Sequence, residues 1–126
     1  NENIKIHKFI EDMGVAYSAS NLVVSRAGAT AISEIVSLGK PSILIPYPYA
    51  ANNHQEINAK ILQNNKASLM IKEQELKDGK LEDLIGDMSN FNNRIDDMKT
   101  NAIKFSKGES STLIADKIIG EIKNAR

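Results

Sequence analysis

"LVVSRAGATAISE", Leu22 to Glu34, begins as an apolar run, passes through a basic residue and a glycine, and ends in a helical pattern carrying a carboxylate. Leu22-Val23-Val24 is short and continuously apolar, as expected of a parallel strand buried on both faces. From Thr30 to Leu38 the apolar residues Ala31, Ile32, Ile35, Val36 and Leu38 recur at helical spacing. Gly39 suits the left-handed position beyond a helix end, and Pro41 bars continuation. "SILIP", Ser42 to Pro46, then reads as a second buried strand. Strand, helix and strand in so short a span make a compact βαβ unit with a right-handed crossover. The fold class that follows is α/β with a parallel sheet.

Working outward, Ile4, Ile6 and Phe9 carry a weak strand signal, and Glu11 to Ser20 suits a short helix despite Gly14. "PYPYAANN", Pro46 to Asn53, is no regular element, because Pro46 and Pro48 interrupt both helix and ladder. A helix is expected from about His54 to Leu62, with Ile57, Ile61 and Leu62 on one face. Asn64-Asn65 closes it, and "ASLMI" reads as a further strand. Beyond Lys72 the pattern turns helical and charged. Its stripes are Leu81, Leu84, Ile85 and Met88; then Phe91, Ile95, Met98, Ala102, Ile103 and Phe105; then Leu113, Ile114, Ile118, Ile119 and Ile122, started by Ser110-Ser111. One domain is expected over 1–126, with an α/β part at roughly 1–72 and a helical tail at 73–126.

Composition narrows the function classes. A chain of 126 residues with 41% hydrophobic content supports one packed core. Lys+Arg and Asp+Glu balance at 16 each, and nothing in that balance points to a nucleic-acid footprint. The absence of cysteine removes disulfides, thiolate metal sites and thiol nucleophiles. No apolar run approaches the roughly 18–20 residues that span a bilayer. The first residues, "NENIKIHKFIEDM", lack an initiating Met and move at once into an apolar pattern, as though the sequence began inside a larger fold.

In open parallel sheets, ligands bind beyond the carboxyl ends of the strands. The loops Ser25–Ala29 and Pro46–Asn53 both leave such ends. Gly28 permits a positive φ or a close backbone approach, and N–H groups of Ala29, Thr30 and Ala31 at the helix start suit an anion such as a diphosphate. The plainer reading is that small residues let helix and strand pack closely. Glu34 is not a capping-box partner of Thr30, whose third successor is Ser33. It either gains from the helix dipole or accepts hydrogen bonds from a ribose diol, as acidic residues do in dinucleotide sites. His54, Gln55 and Asn58 share one side of a helix start and offer groups able to read sugar hydroxyls; the alternative is capping by Asn52 or Asn53 with the rest solvated. His7 and His54 are the only histidines, without clustered acids, so a metal site is not expected.

Val23 to Leu62, "VVSRAGATAISEIVSLGKPSILIPYPYAANNHQEINAKIL", resembles the donor-domain core of the MurG family of N-acetylglucosaminyltransferases. A looser similarity runs from "HKFIEDM" to the C-terminus. The resemblance implies a Rossmann-like parallel sheet belonging to the C-terminal domain of a GT-B glycosyltransferase, without metal or other cofactor. It implies UDP-GlcNAc as donor, a lipid-linked acceptor held by a separate N-terminal domain, and peripheral attachment at the cytoplasmic face of the bacterial membrane. By position, the backbone of Ile10 would read the uracil with Met13 nearby. Ala29, Thr30 and Ala31 after Gly28 would hold the diphosphate, and Glu34 the ribose. His54 and Gln55 would contact the GlcNAc, with Asn58 close by. Arg26 matches the motif without an assigned contact. On this reading the chain is part of a donor domain that transfers no sugar alone. The alternatives are a nucleotide-sugar-binding module working with a partner chain and an α/β interaction domain that binds no nucleotide.

Overall fold

The computed structural model describes residues 3–50, 53–90 and 92–108. In chain order the elements are α1 Met13–Ala19, β1 Val23–Ser25, α2 Ala29–Ser37, β2 Ser42–Leu44, α3 His54–Asn64 and β3 Leu69–Met70, then a 3-10 helix Glu73–Asp78, α4 Lys80–Asn90 and α5 Asn92–Lys107. The strands form a parallel sheet in the order β1-β2-β3, with Val24 beside Ile43 and Ile43 beside Leu69.

Side chains along a strand alternate between faces, and that alternation builds two cores. Leu44, with Val23 and Met70, faces α2 and α3 and packs with Ile32, Ile35, Val36, Ala59 and Leu62. Ile43, Ile45 and Ile71, with Leu22 and Leu69, face the opposite way, onto Leu76, Leu81 and Leu84. Helix α5 joins both layers, since Ile95 and Met98 enter the second cluster while Ala102 and Phe105 enter the first. Both faces of β2 are therefore covered, which explains its unbroken apolar run. The buried hydroxyls of Ser42 and Ser68 satisfy each other where β2 and β3 begin, 2.8 Å apart.

Two expectations need correction, and a third is not tested. Val24 remains 41% exposed outside both clusters, because β1 lies at the margin of the sheet. The stretch holding Ile4, Ile6 and Phe9 forms no strand and is exposed: among the described residues no strand pairs with it. The stripe from Leu113 to Ile122 and its Ser110-Ser111 start lie outside the described residues, as does Phe91.

Helix α2 ends as its sequence indicates. Gly39 adopts φ 64°, and its N–H donates to Val36 O at 3.1 Å while Lys40 N–H donates to Ile35 O at 3.0 Å. That pair of bonds is the Schellman arrangement, which returns the chain into β2. Helix α3 is tied to the segment after β3 through Glu56, whose carboxylate meets Lys72 Nζ at 3.3 Å and Lys60 Nζ at 3.4 Å. The hydrogen bond from Lys72, and then the charge of Lys60, hold the Glu56 carboxyl below its usual value. A carboxyl group lowered in the folded state stabilises the fold above its unfolded pKa and loses that contribution as pH falls through the folded value. Glu56→Gln should therefore show a smaller drop in Tm than the parent between about pH 5 and pH 2. Thermal melts at low salt over that window check this, and identical slopes would contradict it.

Candidate functional site

The carboxyl ends of β1, β2 and β3 lead into the turn before α2, the Pro46–Asn53 loop and the 3-10 helix, and these three segments are bound together. Gly28 is the N-cap of α2 with φ −69° and ψ 150°, and no side chain caps the helix. The positive φ allowed for Gly28 is thus not used. A Cβ built there would sit 3.8 Å from Gln55 Nε2, an ordinary contact. Neither backbone conformation nor internal packing demands glycine at this position. What its bareness does is leave the first-turn N–H groups of Ala29, Thr30 and Ala31 approachable, where the helix supplies them with no carbonyl.

Gln55 and Asn58 hold this turn from α3. Gln55 Oε1 accepts from Ala27 N–H at 3.2 Å and Tyr47 N–H at 2.9 Å, so one side chain joins the turn to the loop after β2. Its Nε2 is left toward Gly28. Asn58 is only 2% exposed, with Nδ2 3.5 Å from Ala27 O. It lies beneath the turn, not in the cleft, because its place on α3 points it at the sheet. His54 opens α3 after Asn53, which takes the left-handed conformation at φ 55° without a side-chain cap. The alternative of capping by the Asn53 side chain is therefore not met, and Asn52 lies outside the described residues.

Arg26 spans all three loops. Its guanidinium pairs with Glu73, donates to Ile45 O at 3.4 Å and Pro46 O at 3.5 Å, and lies 5.7 Å from the Tyr47 ring centroid. Tyr49 packs edge-on against Tyr47, and beside them Glu56, Lys72, Glu73 and Lys77 line an opening of about 400 Å³. Sequence reasoning noted Arg26 in its motif but gave it no contact. Its partner Glu73 is 47 residues away, and nothing local in the chain marks the pair.

Glu34 lies in the second turn of α2, half-buried, and lines a shallow cleft of about 470 Å³ with Met13, Tyr17, Ser37, Glu11 and Asp12. Three carboxylates around one cleft repel anions and suit an uncharged, hydroxyl-bearing group. Ile10 precedes this cleft, 37% exposed. Tyr17, nearly buried, lines the same cleft as Glu34. Burial foremost, then the charge of Glu34 and its hydrogen bond, raise the Tyr17 pKa, so the phenol keeps its proton and remains a donor. The sequence carried no signal for Tyr17 as a site residue, since α1 and α2 meet only in the fold. Among the described residues no group of acids and histidines is arranged to hold a metal ion.

A parallel sheet with ligand-sized openings at its carboxyl edge defines a Rossmann-like domain. The family model for the glycosyltransferase family 28 C-terminal domain matches residues 1–118, and the chain belongs to that family. The UDP-N-acetylglucosamine–N-acetylmuramyl-(pentapeptide) pyrophosphoryl-undecaprenol N-acetylglucosamine transferase of Listeria welshimeri is 39% identical over 121 residues, 96% of this chain and 33% of that protein. The enzyme of the same name from Caldicellulosiruptor saccharolyticus is 53% identical over 83 residues, 66% of this chain and 22% of that protein. The crystal structure of Acinetobacter baumannii MurG superposes with a TM-score of 0.77 at 27% identity, covering 94% of this chain and 35% of that one. The chain thus spans about a third of the length of the curated relatives it matches. Its fold is the Rossmann-like C-terminal domain of a GT-B glycosyltransferase, as the resemblance implied.

Proposed function

We propose that this chain is the donor-binding part of an inverting glycosyltransferase that moves GlcNAc from UDP-GlcNAc onto lipid I to make lipid II. The observation that carries this reading is the bare start of α2, where Gly28 is required neither by φ nor by packing. The diphosphate sits over Ala29, Thr30 and Ala31. The nucleoside extends into the cleft of Met13 and Glu34, with Glu34 on the ribose and the backbone of Ile10 on the uracil. His54 and Gln55 Nε2 meet the GlcNAc. Asn58 contributes by holding the turn from below.

In the reaction, the muramyl 4-hydroxyl attacks the anomeric carbon and the bond to the β-phosphate oxygen breaks. The bonding pair leaves with UDP, and negative charge grows on that phosphate. The N–H groups and dipole of α2 stabilise this charge where it develops, giving the turn a part in catalysis beyond binding. The acceptor and its activating base belong to the remainder of a longer protein, which meets the membrane peripherally on its cytoplasmic side. No helix among the described residues is long and apolar enough to cross a membrane.

Transfer of labelled GlcNAc from UDP-GlcNAc to a lipid-linked muramyl-pentapeptide, by a protein of the relatives' length carrying this chain as its C-terminal part, tests the reading. Absence of transfer to that acceptor would contradict it. In the same protein Gly28→Ala should raise the donor KM about tenfold, about 1.4 kcal/mol. Because the new Cβ fits, stability should change by less than about 1 kcal/mol, as for other N-cap exchanges of this kind. Equal KM values for parent and variant would remove the diphosphate from this turn.

A further inference from the structure

We propose that Arg26 is a positioning residue for the transferred sugar and acts through Gln55. It holds the chain at Tyr47 in the place where the Tyr47 N–H keeps the Gln55 amide turned, with Nε2 toward the turn at Gly28. The inference rests on the donor reading above and adds to it a residue that reading leaves without a role. Three segments close a circuit in which neighbouring residues pass the connection on. Arg26, after β1, pairs with Glu73 of the 3-10 helix. Beside Glu73, Lys72 meets Glu56 of α3 at 3.3 Å. Beside Glu56, Gln55 accepts from the N–H of Ala27, the neighbour of Arg26, at 3.2 Å. The start of the loop after β2 is gripped by both ends of this circuit. The guanidinium donates to Ile45 O at 3.4 Å and Pro46 O at 3.5 Å, and Gln55 Oε1 accepts from Tyr47 N–H at 2.9 Å.

What the circuit fixes is the direction of the Gln55 amide. A side-chain amide has an accepting end and a donating end, and half a turn exchanges them. Two backbone N–H groups aimed at one atom settle the choice, because only the oxygen accepts. Nε2 is then left toward Gly28, as a donor for an oxygen of the ligand. This holds only while the N–H groups of Ala27 and Tyr47 stay together. Ile45 N–H still donates to Ser25 O at 2.8 Å, but beyond it the loop leaves the sheet, and Arg26 takes over the connection. The flat guanidinium suits this task. Its fork of donors serves two carbonyls and a carboxylate at once, while it lies over the Tyr47 ring, 5.7 Å from the centroid. A lysine would keep the charge for Glu73 without that span. Arg26 and Glu73 are both partly exposed, so their pairing adds little to stability, and its loss should be read at the ligand.

The test is Arg26→Lys, alone and combined with Gln55→Ala, in the protein of the relatives' length, with UDP-GlcNAc and UDP titrated by calorimetry. Arg26→Lys should weaken UDP-GlcNAc about fivefold and UDP by less than about twofold, since only the sugar meets Gln55. In the Gln55→Ala background the same exchange should weaken UDP-GlcNAc by less than about twofold, because the side chain it positions is gone. Equal weakening of both ligands, no weakening of either, or the full loss repeated in the Gln55→Ala background would overturn the proposal. A merely loosened fold moves both ligands alike, so the ratio of the two affinities decides even where stability falls. Gln55→Ala alone separates this proposal from the reading beneath it. If that variant leaves the ratio unchanged, the assignment of Gln55 to the sugar falls and this proposal with it. If it lowers the ratio and Arg26→Lys does not, only the role of Arg26 falls.

Discussion

Replacing Glu34 by alanine, in a protein of the relatives' length, is expected to raise the KM for UDP-GlcNAc between ten- and a hundredfold. A charge-assisted hydrogen bond is worth about 1.5–3 kcal/mol, and each 1.36 kcal/mol is a factor of ten. Alanine is a good helix former, and the bonds that Glu34 makes through its carbonyl, to Leu38 N–H and the Ser37 hydroxyl, do not need its side chain. The fold should therefore survive. Glu34 is placed to bind ribose and not to move a proton, so kcat at saturating donor should fall far less than kcat/KM. Steady-state kinetics with donor varied at fixed acceptor distinguishes this from a catalytic base, whose loss would appear mainly in kcat.

Gly39→Ala is expected to destabilise the domain by about 2–3 kcal/mol, mostly through the backbone. A residue with a Cβ at φ 64° costs about 1–2 kcal/mol. The new Cβ would also lie 2.6 Å from Ile103 Cγ1 and 2.8 Å from its Cδ1. Ile103 is 37% exposed and can swing aside, so this clash adds less than a fully enclosed one. A fall in Tm of about 10 °C follows for a domain near this size. Removing the clash with Gly39→Ala/Ile103→Ala should leave the φ penalty in place. Gly39 lies at the end of α2 opposite the turn before it, so donor KM in the folded fraction should not change. A denaturant titration with unchanged midpoint would contradict the account of this helix end.

Much of the sheet was legible because β2 and its neighbours obey a simple rule. Alternating faces that are both covered leave a strand apolar throughout, as in Ile43, Leu44 and Ile45. Gly39 and Pro41 marked the end of α2 for stereochemical reasons that need no neighbours. The same logic failed at Ile4, Ile6 and Phe9, where alternation is present but no strand among the described residues pairs with it. The turn at Gly28 and the carboxylate at Glu34 were visible locally, but each also had an ordinary reading as a helix start. Tyr17, Arg26 and the inward placing of Asn58 were not legible. Each is placed by residues far along the chain: Tyr17 by Ile32, Ile35 and Val36, Arg26 by Glu73, and Asn58 by Ala27. Such partners are chosen by packing, which the local pattern does not encode.

The central claim is that the edge formed by α2 and its turn is a seat for a uridine diphosphate sugar. Calorimetric titration of UDP-GlcNAc, UDP-glucose and GDP-sugars into the protein of the relatives' length tests it most directly. Saturable binding of the UDP-sugars is expected, UDP-GlcNAc tightest, with GDP-sugars weaker by at least about tenfold; Glu34→Ala should weaken all of them while leaving the uridine preference in place. Equal affinity for uridine and guanosine sugars, or no saturable binding of UDP-GlcNAc, would contradict it.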